Sequence, residues 1–134
     1  MIRGLMIGTA LTLAACSGTG AARSFDDPTV QRLFQMPTPR YYASLQIANQ
    51  VAQNCARYRY DAALDAELNE RRNEVGRGSL SAIGQRLAIE TETDVSQRSF
   101  MAKHAVTLDG DDLCAAGDAE VLEGSALSAL LIPA

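Results

Sequence analysis

The chain has 134 residues, a formal net charge of −4 at neutral pH, 47% hydrophobic residues, three cysteines, one histidine and no tryptophan. That length supports one domain, and an acidic chain with no concentrated Lys/Arg patch excludes nucleic acid as its partner. A lone histidine excludes a His-based metal cage, and apolar content dominated by Ala and Leu favours helix over sheet.

Met1-Ile2-Arg3 opens the chain, and the apolar run Leu5 to Leu13 follows. A basic start, a run shorter than the roughly 20 residues of a membrane-spanning helix, and small residues at its end predict an export signal. The end of that signal, Leu13-Ala14-Ala15-Cys16, resembles the lipobox of bacterial lipoproteins. The resemblance implies that residues 1–15 are removed as a signal peptide. It implies further that the Cys16 sulfur receives a diacylglycerol and that the new amino terminus is acylated, palmitate being a typical chain. Three acyl chains exceed the two signals that stable anchoring takes, so the membrane becomes a partner through the anchor. Ser17, where an Asp would retain such a protein at the inner membrane, implies a place in the cell envelope at the outer membrane, facing the periplasm. The competing reading is ordinary cleavage near Ala15, which leaves Cys16 as a spare thiol.

Cys55 and Cys114 remain. In an oxidising compartment an even pair separated by a long loop reads as a disulfide. Closing a loop of about 60 residues stabilises a fold by roughly 4 kcal/mol in chain-entropy terms. The rival is a reactive thiol at Cys114, which follows Asp111-Asp112 at an expected helix start.

Residues 16–37, the lipidated cysteine followed by the small polar stretch "SGTGAARS", predict a flexible tether. A helical domain over 38–134 follows. Thr38 reads as the N-cap of its first helix and Pro39 as the first helical residue. The spacing of Gln46, Gln50, Gln53 and Arg57 marks a wet face, with Leu45, Ala48, Ala52 and Cys55 on another, so helix is expected through "NCARYRY". Next, "DAALDAELNERRNEVGRG" carries Leu64, Leu68 and Val75 at burial spacing, Glu67 and Arg71 at i, i+4, and glycines at its end. Ser79 is the expected cap of a third helix with Leu80, Ile83 and Leu87 in step. "IETETDVSQRSFMAKHAV" alternates like a strand at first, but the Ala, Gln, Met and Lys that follow favour helix, with Asp94 and Arg98 paired. Asp111 or Asp112 caps the last main helix, whose inner side is Leu113, Ala116, Gly117 and Val121. Gly124-Ser125 restarts the chain as a short apolar helix, "ALSALLIP", ended by Pro133.

Catalytic groups are sparse. His104 reads as a helix-end histidine, "GRGSLS" lacks the flanking glycines of a nucleophile elbow, and no cofactor motif is present. "DGDDLCAAGDAE" places Asp109, Asp111 and Glu120 at calcium-loop positions 1, 3 and 12. Leu113 and Cys114 stand where a ligand and a glycine are required, which rejects that loop and leaves no metal ligands to name. The most distinctive surface candidate is aromatic and basic: Arg40, Tyr41, Tyr42, Arg57, Tyr58, Arg59 and Tyr60 are residue types that concentrate in partner contacts. Tyrosines filling core edges are the alternative. The mature part is also similar to small two-cysteine exported helical proteins of families of unknown function, through "NQVAQNCARY" and "DDLCAAGDAEVLEGSALSALL". That likeness implies a fold and a disulfide, and no activity.

The expected architecture is an all-α bundle of about four helices, stapled by one Cys55–Cys114 disulfide. The expected function is non-enzymatic: a lipid-anchored interaction or accessory module of the cell envelope, with an envelope protein as partner. The alternative is a periplasmic module that holds a small apolar ligand between its helices.

Overall fold

The computed structural model describes residues 21–134. Among the described residues, six α-helices, a short 3-10 turn and a two-stranded ribbon make a predominantly helical bundle joined by the Cys55–Cys114 disulfide. Four helices of ten residues or more, Thr38–Gln53, Ala62–Glu74, Arg86–His104 and Cys114–Glu123, form the expected bundle, and two short helices, Pro28–Phe34 and Ser79–Ile83, add to it.

Helix α1 (Pro28–Phe34) corrects the expected tether. The Asp27 carboxylate accepts from the Thr29 backbone N–H at 2.8 Å, and Pro28 presets the first helical φ. Val30 and Leu33, one turn apart, are wholly buried. The residues before α1 are tied down as well. The Ala22 N–H donates to Asp61 Oδ2 at 3.0 Å, and Arg23 Nη1 donates to the carbonyls of Ser128, Ala129 and Leu131. Only residues 16–20 of the expected tether, Cys16 among them, lie outside the described residues.

Helix α2 (Thr38–Gln53) buries Tyr41, Ile47, Ala48 and Val51. Thr38 is its first helical residue rather than its cap, and Pro37 takes the cap position. The Thr38 hydroxyl is used elsewhere, accepting from buried Arg72 Nη2 at 3.2 Å. Helix was expected through Tyr60, but α2 stops at Gln53 because Asn54 turns to tertiary partners. The Asn54 carbonyl accepts from Leu113 N–H at 3.0 Å, and its Nδ2 donates to the Leu108 carbonyl at 3.3 Å. Cys55 therefore sits in the exit loop, not on a helix face. Strand β1 (Tyr58–Tyr60) follows and pairs antiparallel with β2 (Leu131–Pro133), Tyr58 opposite Pro133 and Tyr60 opposite Leu131.

Helix α3 (Ala62–Glu74) is capped by Asp61, which accepts from Leu64 N–H at 3.0 Å, and it buries Leu64, Leu68 and Arg72. Glu67 and Arg71 pair at 3.0 Å. Val75 lies past the helix end and is exposed, contrary to its expected burial. Gly76, at φ +73°, turns the chain there. Helix α4 (Ser79–Ile83) is a single turn, broken at Gly84-Gln85 from α5 (Arg86–His104), which lies along α2. The strand-like start of α5 is helical, and Asp94 and Arg98 pair at 2.8 Å.

Leu113 takes the N-cap position of α6 (Cys114–Glu123), and the expected cap Asp112 stands one residue earlier, its Oδ1 accepting from Cys114 N–H at 2.8 Å. Leu113, Ala116 and Gly117 face the core, while Val121 is exposed. A side chain at Gly117 would bring its Cβ to 3.0 Å from the Tyr58 ring. The expected C-terminal helix is a 3-10 turn (Leu127–Leu130) running into β2, and Leu130 and Leu131 close the core beneath it.

Candidate interaction surface

The disulfide removes Cys114 as a candidate reactive group. Cys55 and Cys114, with Cα atoms 4.9 Å apart, are joined, so neither offers a thiolate. Asp112 comes near both sulfurs, but bonded sulfurs do not complete a metal site there. The pairing leaves Cys16 as the one cysteine outside it.

The aromatic and basic residues do not form one patch. Tyr41 belongs to the core and stacks under the Arg72 guanidinium, 4.1 Å from its ring centroid, which removes it from partner contact. Tyr42 and Tyr60 are half-buried, and Tyr60 donates to Asp65 Oδ2 at 2.9 Å. Burial, with the Asp65 charge second, pushes the Tyr60 hydroxyl far above its ordinary value. Tyr58 donates to Asp118 Oδ1 at 2.7 Å, and Arg57 pairs with Asp118 Oδ2 at 2.8 Å. These two bonds, Tyr58's first, hold the Asp118 carboxyl below its ordinary value. Arg40, on α2, reaches Glu92 of α5 at 3.6 Å, and Arg59 is exposed. The tyrosines therefore fill core edges, and Arg40, Arg57 and Arg59 form the solvated remainder.

A polar cluster at the junction of α5 and α6 escaped the sequence reading. Glu120 is buried, and its Oε1 lies 2.6 Å from His104 Nε2 and accepts from Lys103 Nζ at 3.0 Å. Burial opposes the carboxylate charge. The polar side chains of Ser125, His104 and Lys103 outweigh it and hold the group below its ordinary value. Lys103 bridges on to Glu123, and that bond is the first cause of the raised value of its ammonium. His104 is thus a helix-end residue, as expected, with an inward carboxylate as its partner.

The exposed apolar face lies elsewhere. Leu80, Ile83 and Leu87 are 83%, 75% and 76% exposed, and Val75 is 58% exposed. Burying one such side chain ordinarily contributes about 1.5–3 kcal/mol, so the fold leaves considerable apolar area in water along α4 and the first turn of α5. Their helical spacing suggested an inward face. Gly76, Gly78 and Gly84 bracket α4, however, and a one-turn helix cannot lay a stripe onto the bundle. Asn73 Oδ1 instead accepts from Ser79 N–H at 3.1 Å and holds α4 at the surface. A shallow groove lined by Tyr42, Ala82, Ile83 and Ile89 runs beside it. Among the described residues no helix is long and apolar enough to cross a membrane. No family model, curated protein or solved structure matches the chain.

Proposed function

We propose that the protein is a lipid-anchored component of the cell envelope that acts, without catalysis, as an interaction or accessory module. Cys16 carries the anchor, and the outer membrane facing the periplasm is its place. The observation that supports this reading is the cysteine arithmetic. Cys55 and Cys114 satisfy each other, which leaves Cys16, at the end of Leu13-Ala14-Ala15, for separate chemistry. A disulfide also suits an oxidising compartment, and an exposed apolar face suits a protein with something to contact.

Replacing Cys16 with Ser should move the protein from the membrane fraction to the soluble periplasmic fraction. The wild-type amino-terminal peptide should carry the mass of a diacylglycerol and an acyl chain. Membrane retention of Cys16→Ser together with an unmodified wild-type peptide would refute the anchor. Purification in mild detergent from the membranes should bring down a stoichiometric envelope protein. Recovery of a small apolar molecule instead would favour the groove beside Tyr42 and Ile89 as a ligand site.

A further inference from the structure

Residues 75–89, VGRGSLSAIGQRLAI, contain the four aliphatic side chains just described, two arginines and no acid, in a chain whose net charge is −4. Glu74 and Glu90 stand immediately outside this stretch. Arg86 pairs with Glu90 at 3.1 Å in full exposure, a contact weak enough to be exchanged. Arg77 makes no ion pair among the described residues. Apolar side chains projecting from a short surface helix, flanked by arginines and neutral polar residues, match the chemistry of a bilayer interface. The aliphatic groups enter the boundary of the acyl chains while guanidinium groups remain among anionic headgroups.

The chain's own connectivity keeps the body close to a membrane, given the Cys16 anchor on which this step rests. From Cys16 to the first described residue, Ala21, the chain is five residues, which span at most about 17 Å. From there it runs along α3. Ala22 is bonded to Asp61 at one end of that helix, and the Phe25 ring lies 4.1 Å under the Arg71 guanidinium near the other. Helix α4 begins eight residues after Arg71, beyond the end of α3 remote from Ala22, so the face meets the bilayer when α3 lies along it. A second copy of the chain fits less well, because a stable dimer engages roughly 20–30 residues a side and this face is one helical turn with its flanks. We infer that α4 and the first turn of α5 form an interfacial membrane-contact element, seating Leu80, Ile83 and Leu87 in a bilayer that carries anionic headgroups.

The absence of tryptophan makes the test direct. Leu80→Trp places a single fluorophore on the proposed face. Leu122→Trp places one on α6 at a position 90% exposed, where no membrane contact is expected. Both sites are solvent-facing, so both variants should fold. The full chain, purified from membranes and reconstituted into vesicles of phosphatidylglycerol and phosphatidylcholine with brominated acyl chains, should show blue-shifted emission from Leu80→Trp, quenched at least threefold more than that of Leu122→Trp. Exchanging phosphatidylglycerol for phosphatidylcholine should reduce the difference. Equal emission and equal quenching of the two probes would overturn the proposal. So would a dimer in vesicle-free solution that Leu80→Asp dissolves, which would assign the face to a second copy. The same comparison on vesicle-bound protein carrying Cys16→Ser separates the two ideas. A persisting difference between the probes supports the contact element independently of the anchor, whereas equal quenching of both probes in wild-type protein that carries its lipid overturns the element and leaves the anchor standing.

Discussion

Arg72 is wholly buried, and no carboxylate is among its hydrogen-bond partners. Its Nη1 donates to the carbonyls of Phe34 at 2.7 Å and Met36 at 3.0 Å, where α1 ends and its last carbonyls have no helical partners. Its cost of desolvation, visible as a lowered guanidinium value, is offset by those carbonyls, by Thr38 and by the Tyr41 ring. Replacing Arg72 with Met keeps the apolar stem and removes the donors, which should cost roughly 2–4 kcal/mol. A urea midpoint shifted by the equivalent of less than 1 kcal/mol would show that the clamp is dispensable. Glu120 makes the complementary case in acid. Its carboxyl titrates lower in the fold than in the unfolded chain, so its stabilisation is complete at neutral pH and is lost as pH falls below about 4.3. Melting temperatures from pH 7 to pH 3 should therefore show wild type above Glu120→Gln at neutral pH, with the gap closing in acid. A constant gap would mean that Glu120 acts only through its shape.

The starts of α2 and α6 were legible to within two residues from Thr38-Pro39 and Asp111-Asp112, and α3 from the apolar period after Asp61, whereas α5 begins at Arg86, seven residues past the start expected at Ser79. The Cys55–Cys114 pair was legible from cysteine count and compartment alone. Helix α1 was not, although Asp27-Pro28 is a start signal, because its apolar period is one turn long and small polar residues precede it. The end of α2 was hidden for a different reason. Asn54 ends the helix both by capping the Gln50 carbonyl with its own side chain at 2.9 Å and through Leu108 and Leu113, more than fifty residues away, and no local signal encodes those distant partners. At the candidate surface the composition named the right residue types but not their placement. Tyr41 turned inward, and the exposed Leu80, Ile83 and Leu87 looked like core. The disulfide joins two of these elements, the exit of α2 and the start of α6, across 59 residues. Reduction should lower the melting temperature by roughly 10 °C, the equivalent of a few kcal/mol in a domain of this size. An unchanged melting curve would show that helix packing alone fixes that junction.

Across the whole molecule, the first and last described residues support the same structure. Arg23 grips the carbonyls of Ser128, Ala129 and Leu131, β1 has no ladder without β2, and the Asp61 N–H donates to the Leu130 carbonyl at 2.9 Å. Leu130 and Leu131 also fill the centre of the core. The lipid anchor proposed at Cys16 and the contact element proposed at α4 would act on a body in which Ala22 and Arg23 are fixed to Asp61 and to the C-terminal carbonyls, so that force arriving at these residues reaches the core directly. The same stitching sets an order in time. Until residues 127–133 have left the synthesis or export machinery, β1 lacks its partner, the core lacks two leucines and Arg23 has nothing to hold. Such long-range closure is slow to form and comes last. A chain passing through a narrow pore would therefore lack this closure until residues 127–133 emerged, and would complete it as a late, slow step on the far side.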